Sequence, residues 1–317
     1  MRRIDPMVRL LLLAIFLATV LPVAGRWATV AQFVSNAAVF LLFFLNGLRL
    51  PRREVVAGIG KWRLLFPLVL FVYAAMPAAG WVLWQGADHV LPSMLALGFL
   101  FLGTLPSTVQ SATAYTSLAG GNVASSVVAA ALLNILGVFV TAPLFSLLAG
   151  SHAAAFDGSG LVKVMTILLL PFALGQLLQV RMGGWVAGHR QLVVWMDRCS
   201  IAIAVYVAFS NAVRQGIWGR IDVTGWAGLV AGCAALLVFG YGGSWLLARM
   251  AGLERGDRIA MMFAGAQKSI AMGAPLATVL FPPAVAGVIL LPTLTYHLAQ
   301  LIVAAPLASR LKAQTVT

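Results

Sequence analysis

Charge is what this chain has least of. Only 9% of its 317 residues are Asp, Glu, Lys or Arg, where a water-soluble domain carries about a quarter. With 62% hydrophobic residues set against so little charge, no water-soluble globule can hide its apolar surface, and a soluble enzyme is excluded. Cysteine is scarce too. Cys199 and Cys233 both lie inside apolar runs, which excludes a secreted disulfide scaffold and reads them as small core hydrophobes. Acidic residues number 8, and Asp5, Glu54, Asp88, Asp157, Asp197, Asp222, Glu254 and Asp257 all fall in loops or at the ends of apolar runs. No carboxylate is therefore expected at the middle of a membrane. Also missing is the His-Glu-x-x-His motif or aspartate pair that an intramembrane enzyme needs, so the chain is read as no enzyme, with no metal site and no cofactor.

What is present is hydrophobic length. A membrane-crossing helix takes about 20 apolar residues, so ten need roughly 200. Ten runs are found, at about 7 to 24, 27 to 48, 62 to 84, 91 to 118, 122 to 149, 161 to 180, 192 to 213, 223 to 250, 257 to 281 and 284 to 309. The first has the basic start of a signal peptide but runs on to Pro22, and it is read as a retained span. The net charge of +13 suggests a polyanion partner until the basic residues are placed, because they fill the short gaps between runs. That is where topology determinants sit, and no nucleic-acid partner is expected. On the side of the termini lie Arg2, Arg3, Arg9, Arg49, Arg52, Arg53, Lys61, Arg63, Arg181, Arg190, Arg198, Arg249, Arg255, Arg258, Arg310 and Lys312. Arg26, Lys163, Arg214 and Arg220 lie opposite, so both termini are expected in the cytoplasm, with the chain a multi-pass protein of the cell (inner) membrane. Trp62, Trp81, Trp84, Trp218 and Trp226 read as anchors at the membrane interface.

Runs four and nine are interrupted by polar clusters. The first reads Gly103-Thr104-Leu105-Pro106-Ser107-Thr108-Val109-Gln110-Ser111; the second reads Gly265-Ala266-Gln267-Lys268-Ser269, followed by Gly273 and Pro275. Proline removes a backbone donor and glycine loosens the turn, so both runs are expected to be broken helices whose freed backbone groups line a cavity or touch an ion. The two occupy corresponding places in the two halves, and other landmarks follow the same order. Phe44-Leu45-Asn46-Gly47-Leu48 echoes Phe209-Ser210-Asn211-Ala212-Val213, and Val140 to Leu144 echoes Val303 to Leu307. Asn46 to Gln110 is 64 positions and Asn211 to Gln267 is 56. Five spans per half is an odd number, so a second copy enters the membrane from the opposite side. The expected fold is therefore an all-α polytopic membrane protein, one domain over residues 1–317, built of two inverted five-helix repeats at 1–150 and 158–317.

The polar clusters, with Gly121-Asn122-Val123-Ala124 and Gly273-Ala274-Pro275-Leu276-Ala277, carry a resemblance to the bile acid:sodium symporter superfamily. Within it the chain is similar to the sodium/bile acid cotransporter 7-like branch, over essentially its whole length. The resemblance implies ten transmembrane helices, a core domain of spans three to five and eight to ten, and a panel of spans one, two, six and seven. It also implies that discontinuous helices four and nine cross at their unwound centres. Sodium-coupled members carry Glu-x-Gly-x-Gln-Asn in span nine, whose Glu ligates the cation. Here the run reads Phe263-Ala264-Gly265-Ala266-Gln267-Lys268, so the carboxylate is phenylalanine and the asparagine is lysine. The family's Ser-Asn pair falls near Ser111 to Thr113 without the Asn, and of two hydroxyl positions after Asn122 one is Ser126 and the other Ala130.

A buried ammonium is costly and must find partners, so Lys268 is a functional-site candidate. Three roles stay open: a tethered cation standing in for sodium at the half-helix carbonyls, held with Gln110 and Gln267; a titratable group that couples transport to protons; and a partner for an anionic solute. Sodium or a proton is the coupling ion. His297 and Gln300 share a face of span ten as packing or as a proton relay, and Asn46 and Asn211 serve as helix glue or as solute contacts. Gly240, Gly242 and Gly243 read as close-packing positions. The expected site is Ser107, Thr108, Gln110, Ser111, Thr113, Asn122, Ser126, Gln267, Lys268 and Ser269 with Asn46, Asn211 and His297, taking a small organic anion by alternating access. The alternative is a non-transporting regulatory membrane protein linked to ion or calcium homeostasis. Besides the solute and the lipid bilayer no partner is implied, and the oligomeric state is open.

Overall fold

The computed structural model describes residues 6–49, 60–150, 165–216, 219 and 221–313. Among them the chain is helical, with no strand. The helices are α1 (Pro6–Val20), α2 (Arg26–Arg49), α3 (Trp62–Ala87), α4 (Ser93–Thr104), α5 (Val109–Leu118), α6 (Val123–Ala149), α7 (Thr166–Gly188), α8 (Arg190–Arg214), α9 (Val223–Met250), α10 (Arg255–Ala266), α11 (Ile270–Leu280) and α12 (Pro283–Ala313). Seven helices among the described residues are long and apolar enough to cross a membrane, and eight if α4 and α5, bent by 63°, form one span. The expected spans one and nine do not reach that measure: α1 has 15 residues, and α10 and α11 have 12 and 11. The expected start of span six, at 161 to 164, lies outside the described residues, as do Arg2, Arg3, Asp5, Arg52, Arg53, Glu54, Asp157, Lys163, Trp218 and Arg220.

Exposure shows what surrounds these helices. Within the helices, Phe33 is 75% exposed, Val180 82% and Val238 74%, and all three are apolar. Large side chains displayed along helix flanks in this way fit a lipid surround, and the chain is a multi-pass membrane protein.

The chain divides into two compact units, and each draws on both halves of the sequence. The first comprises Met1–Pro51, Ala149–Asp222 and Ala271–Leu290. Here α2 and α7 come backbone to backbone: a side chain on Gly47 would meet the Phe172 carbonyl, and one on Gly175 would meet Gly47 at 3.0 Å. Gln176 Nε2 donates to the Gly47 carbonyl at 2.5 Å. In lipid no hydrophobic transfer drives helices together, so such small-residue contacts carry the association. The segment 271–290 joins this unit, where the resemblance placed it in the core, because Gly287 lets the start of α12 lie against Ala208 and Ala212.

The second unit comprises Arg52–Leu148, Val223–Ile270 and Leu291–Thr317. Its apolar centre includes Leu64, Leu68, Val72, Leu133, Met261 and Ala264, from α3, α6 and α10. Within α3, residues Phe71–Ala75 form a π-turn that no sequence periodicity announces. It turns Phe71 toward Gly265 and Gly243, and it lets the Tyr73 hydroxyl donate to the Leu133 carbonyl at 2.5 Å. Gly80 of α3 and Gly103 of α4 meet in the same small-residue manner. Trp84 is 4% exposed, so it is a packing residue and not the interfacial anchor expected of it. Gly240 and Gly243 are close-packed as expected, but Gly242 has nothing within 4 Å of where a side chain would begin.

Candidate functional site

The site lies in the second unit, where two helices stop. Residues Leu95 through Thr104 of α4 are all buried, and the helix would continue but for Pro106, whose ring disfavours helical backbone at the residue before it. Leu105 is accordingly extended (φ −69°, ψ 145°), and α5 resumes at Val109. In α10 the residues from Ile259 to Ala266 are buried; Gln267 is extended (φ −83°, ψ 130°), and α11 resumes at Ile270. Both interruptions fall where the polar clusters forecast them.

A break inside lipid must satisfy every backbone group it frees. Here the partners can be named one by one. Lys268, 1% exposed, donates from Nζ to the Gly103 carbonyl at 2.9 Å and to the Leu105 carbonyl at 2.7 Å. The Ser269 N–H donates to the Pro106 carbonyl at 2.9 Å, joining one break to the other through main chain. Asn134 Nδ2 donates to the Ser107 carbonyl at 3.0 Å, and the Tyr296 hydroxyl donates to the Ala266 carbonyl at 2.6 Å. Gln300 takes the Lys268 N–H on its Oε1 at 2.8 Å and gives a hydrogen from Nε2 to the Lys268 carbonyl at 3.1 Å. Its other Nε2 hydrogen points at His297 Nδ1, 2.9 Å away.

Gln267 fills the space beside the ammonium. Its Oε1 accepts from the Thr108 hydroxyl at 3.0 Å and from the Ser111 hydroxyl, and these two hydroxyls also touch each other. Its Nε2 is buried with no hydrogen-bond partner. A buried donor left without an acceptor costs about 1–3 kcal/mol, and the Gln267 side chain also lies close enough to the Tyr241 hydroxyl to interact with it.

The other expected site residues divide. Thr113 and Ser126 meet each other at 3.4 Å, with Thr116 donating to Ser126 at 3.3 Å, in a separate hydroxyl group between α5 and α6. Asn122 caps α6, accepting from the Ser125 N–H at 3.1 Å while its own N–H donates to the Gly256 carbonyl. Gln110 is exposed, and Gln267 and Gln300 supply the amides at the break, so the expectation that Gln110 holds Lys268 is corrected. Successive helix residues point about 100° apart, so with Ser111 turned to Gln267 its neighbour Gln110 faces outward. Asn46 and Asn211 belong to the first unit. Asn46 accepts from Arg49 at 3.1 Å, and the Asn211 carbonyl accepts from Gln215 at 3.1 Å.

Three groups were not foreseen. Asn134 and Tyr296 are polar residues in apolar spans, a signal that was readable. Asp197 is a second: it lies two turns inside α8, 7% exposed and paired with Arg49. It is a buried helix residue where a loop or helix end was expected, because Arg49 neutralises it there. Third, Ser125 accepts from Lys61 Nζ at 2.5 Å and donates to Asp257 at 2.6 Å, tying together the starts of α3, α6 and α10. Among the described residues no three His, Cys, Asp or Glu side chains gather as a metal site would need.

The profile of the SBF-like CPA transporter family matches residues 5–313. An uncharacterised protein of Pseudomonas aeruginosa is 39% identical over 303 residues, covering 95% of this chain and 90% of that one. The Escherichia coli K12 protein named "Putative symporter YfeH" is 38% identical over 319 residues, covering 99% of this chain and 95% of its own. Mouse sodium/bile acid cotransporter 7 is 24% identical over 297 residues, 90% of this chain and 84% of that protein.

Proposed function

Because the chain belongs to the SBF-like CPA transporter family, a family of membrane transporters and not enzymes, we propose that it is a secondary active transporter of a small organic anion, with Lys268 in the place of a coupling sodium ion. One observation carries the reading: the Lys268 ammonium is buried and bonded to the Gly103 and Leu105 carbonyls at the break, where half-helix ends attract a cation. A fixed positive charge there leaves nothing for sodium to neutralise. An anionic solute then finds a favourable field and a donor, Gln267 Nε2, that makes no hydrogen bond within the protein, beside Thr108 and Ser111, with Ser107 and Ser269 in the same two breaks. That a relative is named for bile acids and another as a symporter makes organic acids the class to try first. On this reading the ten spans form two inverted repeats, 1–150 and 158–317, with broken spans four and nine crossing at their unwound centres. Access alternates between the two sides of the inner membrane, and both termini are cytoplasmic.

The test is thermal unfolding of the purified protein against cholate, benzoate and citrate, in choline and in sodium buffers. Saturating one site at a hundredfold over its Kd stabilises by about 2.7 kcal/mol. The expected result is stabilisation by at least one anion, equal in both buffers and lost in Gln267→Leu. Stabilisation that requires sodium overturns the role given to Lys268, and no stabilisation by any of the three overturns the solute reading.

A further inference from the structure

We propose that His297 is a proton-binding site whose occupancy releases the break in the second interrupted span, making the proton the coupling ion. The proposal rests on the transport reading above only for the word coupling; the site itself stands on geometry. Gln300 holds both polar atoms of the Lys268 peptide unit, N–H on Oε1 at 2.8 Å and carbonyl on Nε2 at 3.1 Å. An amide side chain's two ends are ordinarily interchangeable to inspection, but here they are not: reversed, it would set donor against donor and acceptor against acceptor. With that orientation fixed, the second Nε2 hydrogen faces His297 Nδ1 at 2.9 Å. Nδ1 must therefore present a lone pair, and the imidazole is the neutral form protonated on Nε2.

A proton arriving at Nδ1 turns this contact into two donors facing each other. Gln300 cannot answer by rotating its amide, because both Lys268 contacts oppose the reversed orientation. It must instead move away, and the Lys268 N–H and carbonyl lose their partners together. One protonation is thereby converted into release of the peptide that carries the ammonium.

The titratable groups bonded to this part of α12 or to the break come from several elements. Lys268 stands at the break with its ammonium turned to the Gly103 and Leu105 carbonyls. From α9 the Tyr241 hydroxyl donates to the Gln300 carbonyl at 3.3 Å, and the Cys233 thiol reaches the Pro292 carbonyl at 3.5 Å. From α5 the Tyr115 hydroxyl donates to the Leu301 carbonyl at 3.1 Å, and Tyr296 on α12 itself is committed to Ala266. Among these Lys268 alone is charged. A proton on His297 and a bound anion carry opposite charges, so the two are expected to bind with positive cooperativity.

The experiment uses the full chain in lipid nanodiscs, labelled with 15N-histidine, which reports on His89, His152, His189 and His297. Hydrogen exchange at residues 267–269 is followed across pH and corrected for the intrinsic rate. At high pH His297 should show the Nε2–H tautomer with slow exchange, and on its protonation the corrected exchange should rise tenfold or more. His297→Gln, whose oxygen can accept the Gln300 hydrogen, should stay slow throughout, and Gln300→Leu should exchange fast throughout. An Nδ1–H tautomer, a His297 titration that leaves exchange unchanged, or a pH step that survives in His297→Gln overturns the proposal. The pH step with no anion stabilising the protein sinks the solute reading alone; anion binding with no pH step sinks the proton site alone.

Discussion

Lys268 holds two main-chain carbonyls at the break. Replacing it with Ala leaves the Gly103 and Leu105 carbonyls without their donor, at a cost of about 1–3 kcal/mol, so Lys268→Ala should unfold at a lower temperature in detergent. Lys268→Met, of similar volume, separates lost packing from lost hydrogen bonds and should be nearly as unstable. The pair Arg49 and Asp197 makes a second residue-scale case. Asp197→Ala strands a guanidinium that is only 28% exposed, with an expected loss of about 1–3 kcal/mol. Asn46→Ala removes a single acceptor and should cost about 1 kcal/mol or less. A double-mutant cycle between Arg49 and Asp197 should return a coupling of about 0.5–3 kcal/mol, and a coupling near zero would show the contact to be incidental.

At the scale of helices, glycines set the spacing. A methyl on Gly103 would stand 2.7 Å from the Met76 carbonyl and 3.1 Å from Pro77, which backbone cannot yield cheaply. Gly103→Ala should therefore cost about 1–3 kcal/mol and shift the carbonyl that Lys268 grips. Gly242→Ala meets nothing within 4 Å and should be neutral or stabilising by up to about 1 kcal/mol, a control readable in the same melting assay. Both broken spans were legible in the sequence, because Pro106 and the Gln267-Lys268-Ser269 run interrupt apolar helices in a way nothing else in the chain does. The π-turn at Phe71–Ala75 was not, since its residues are ordinary helix formers and only the packing of Tyr73 and Phe71 reveals it. Trp84 misled for a related reason: its position near a helix end fits an anchor, and burial depends on a neighbour that no local pattern encodes. The importance of Lys268 was readable from cost alone, but its partners were not. Gln110 and Gln267 look equivalent in the sequence, but Gln110 lies exposed while Gln267, at the other break, bonds to Ser111.

For the molecule as a whole, an ammonium held by the carbonyls at the break, with no carboxylate bonded to it among the described residues, leads to one expectation. Uptake of an organic anion into proteoliposomes should run as fast in choline as in sodium, within about a factor of two, and should respond to an imposed pH gradient. Reporter fusions at either end should both be active on the cytoplasmic face, as the uneven placement of arginines requires. The family was legible from the two polar clusters and the division into compact units was not, since Ala271–Leu290 leaves the segment it follows in sequence to join the first unit. The bond from Ser269 to Pro106 runs main chain to main chain, so at 269 any side chain but proline's leaves its donor in place. Ser269→Ala will pass over it in silence. Only chemistry on the peptide itself, such as an amide-to-ester exchange at 269, would show whether the two interruptions travel as a single mechanical part.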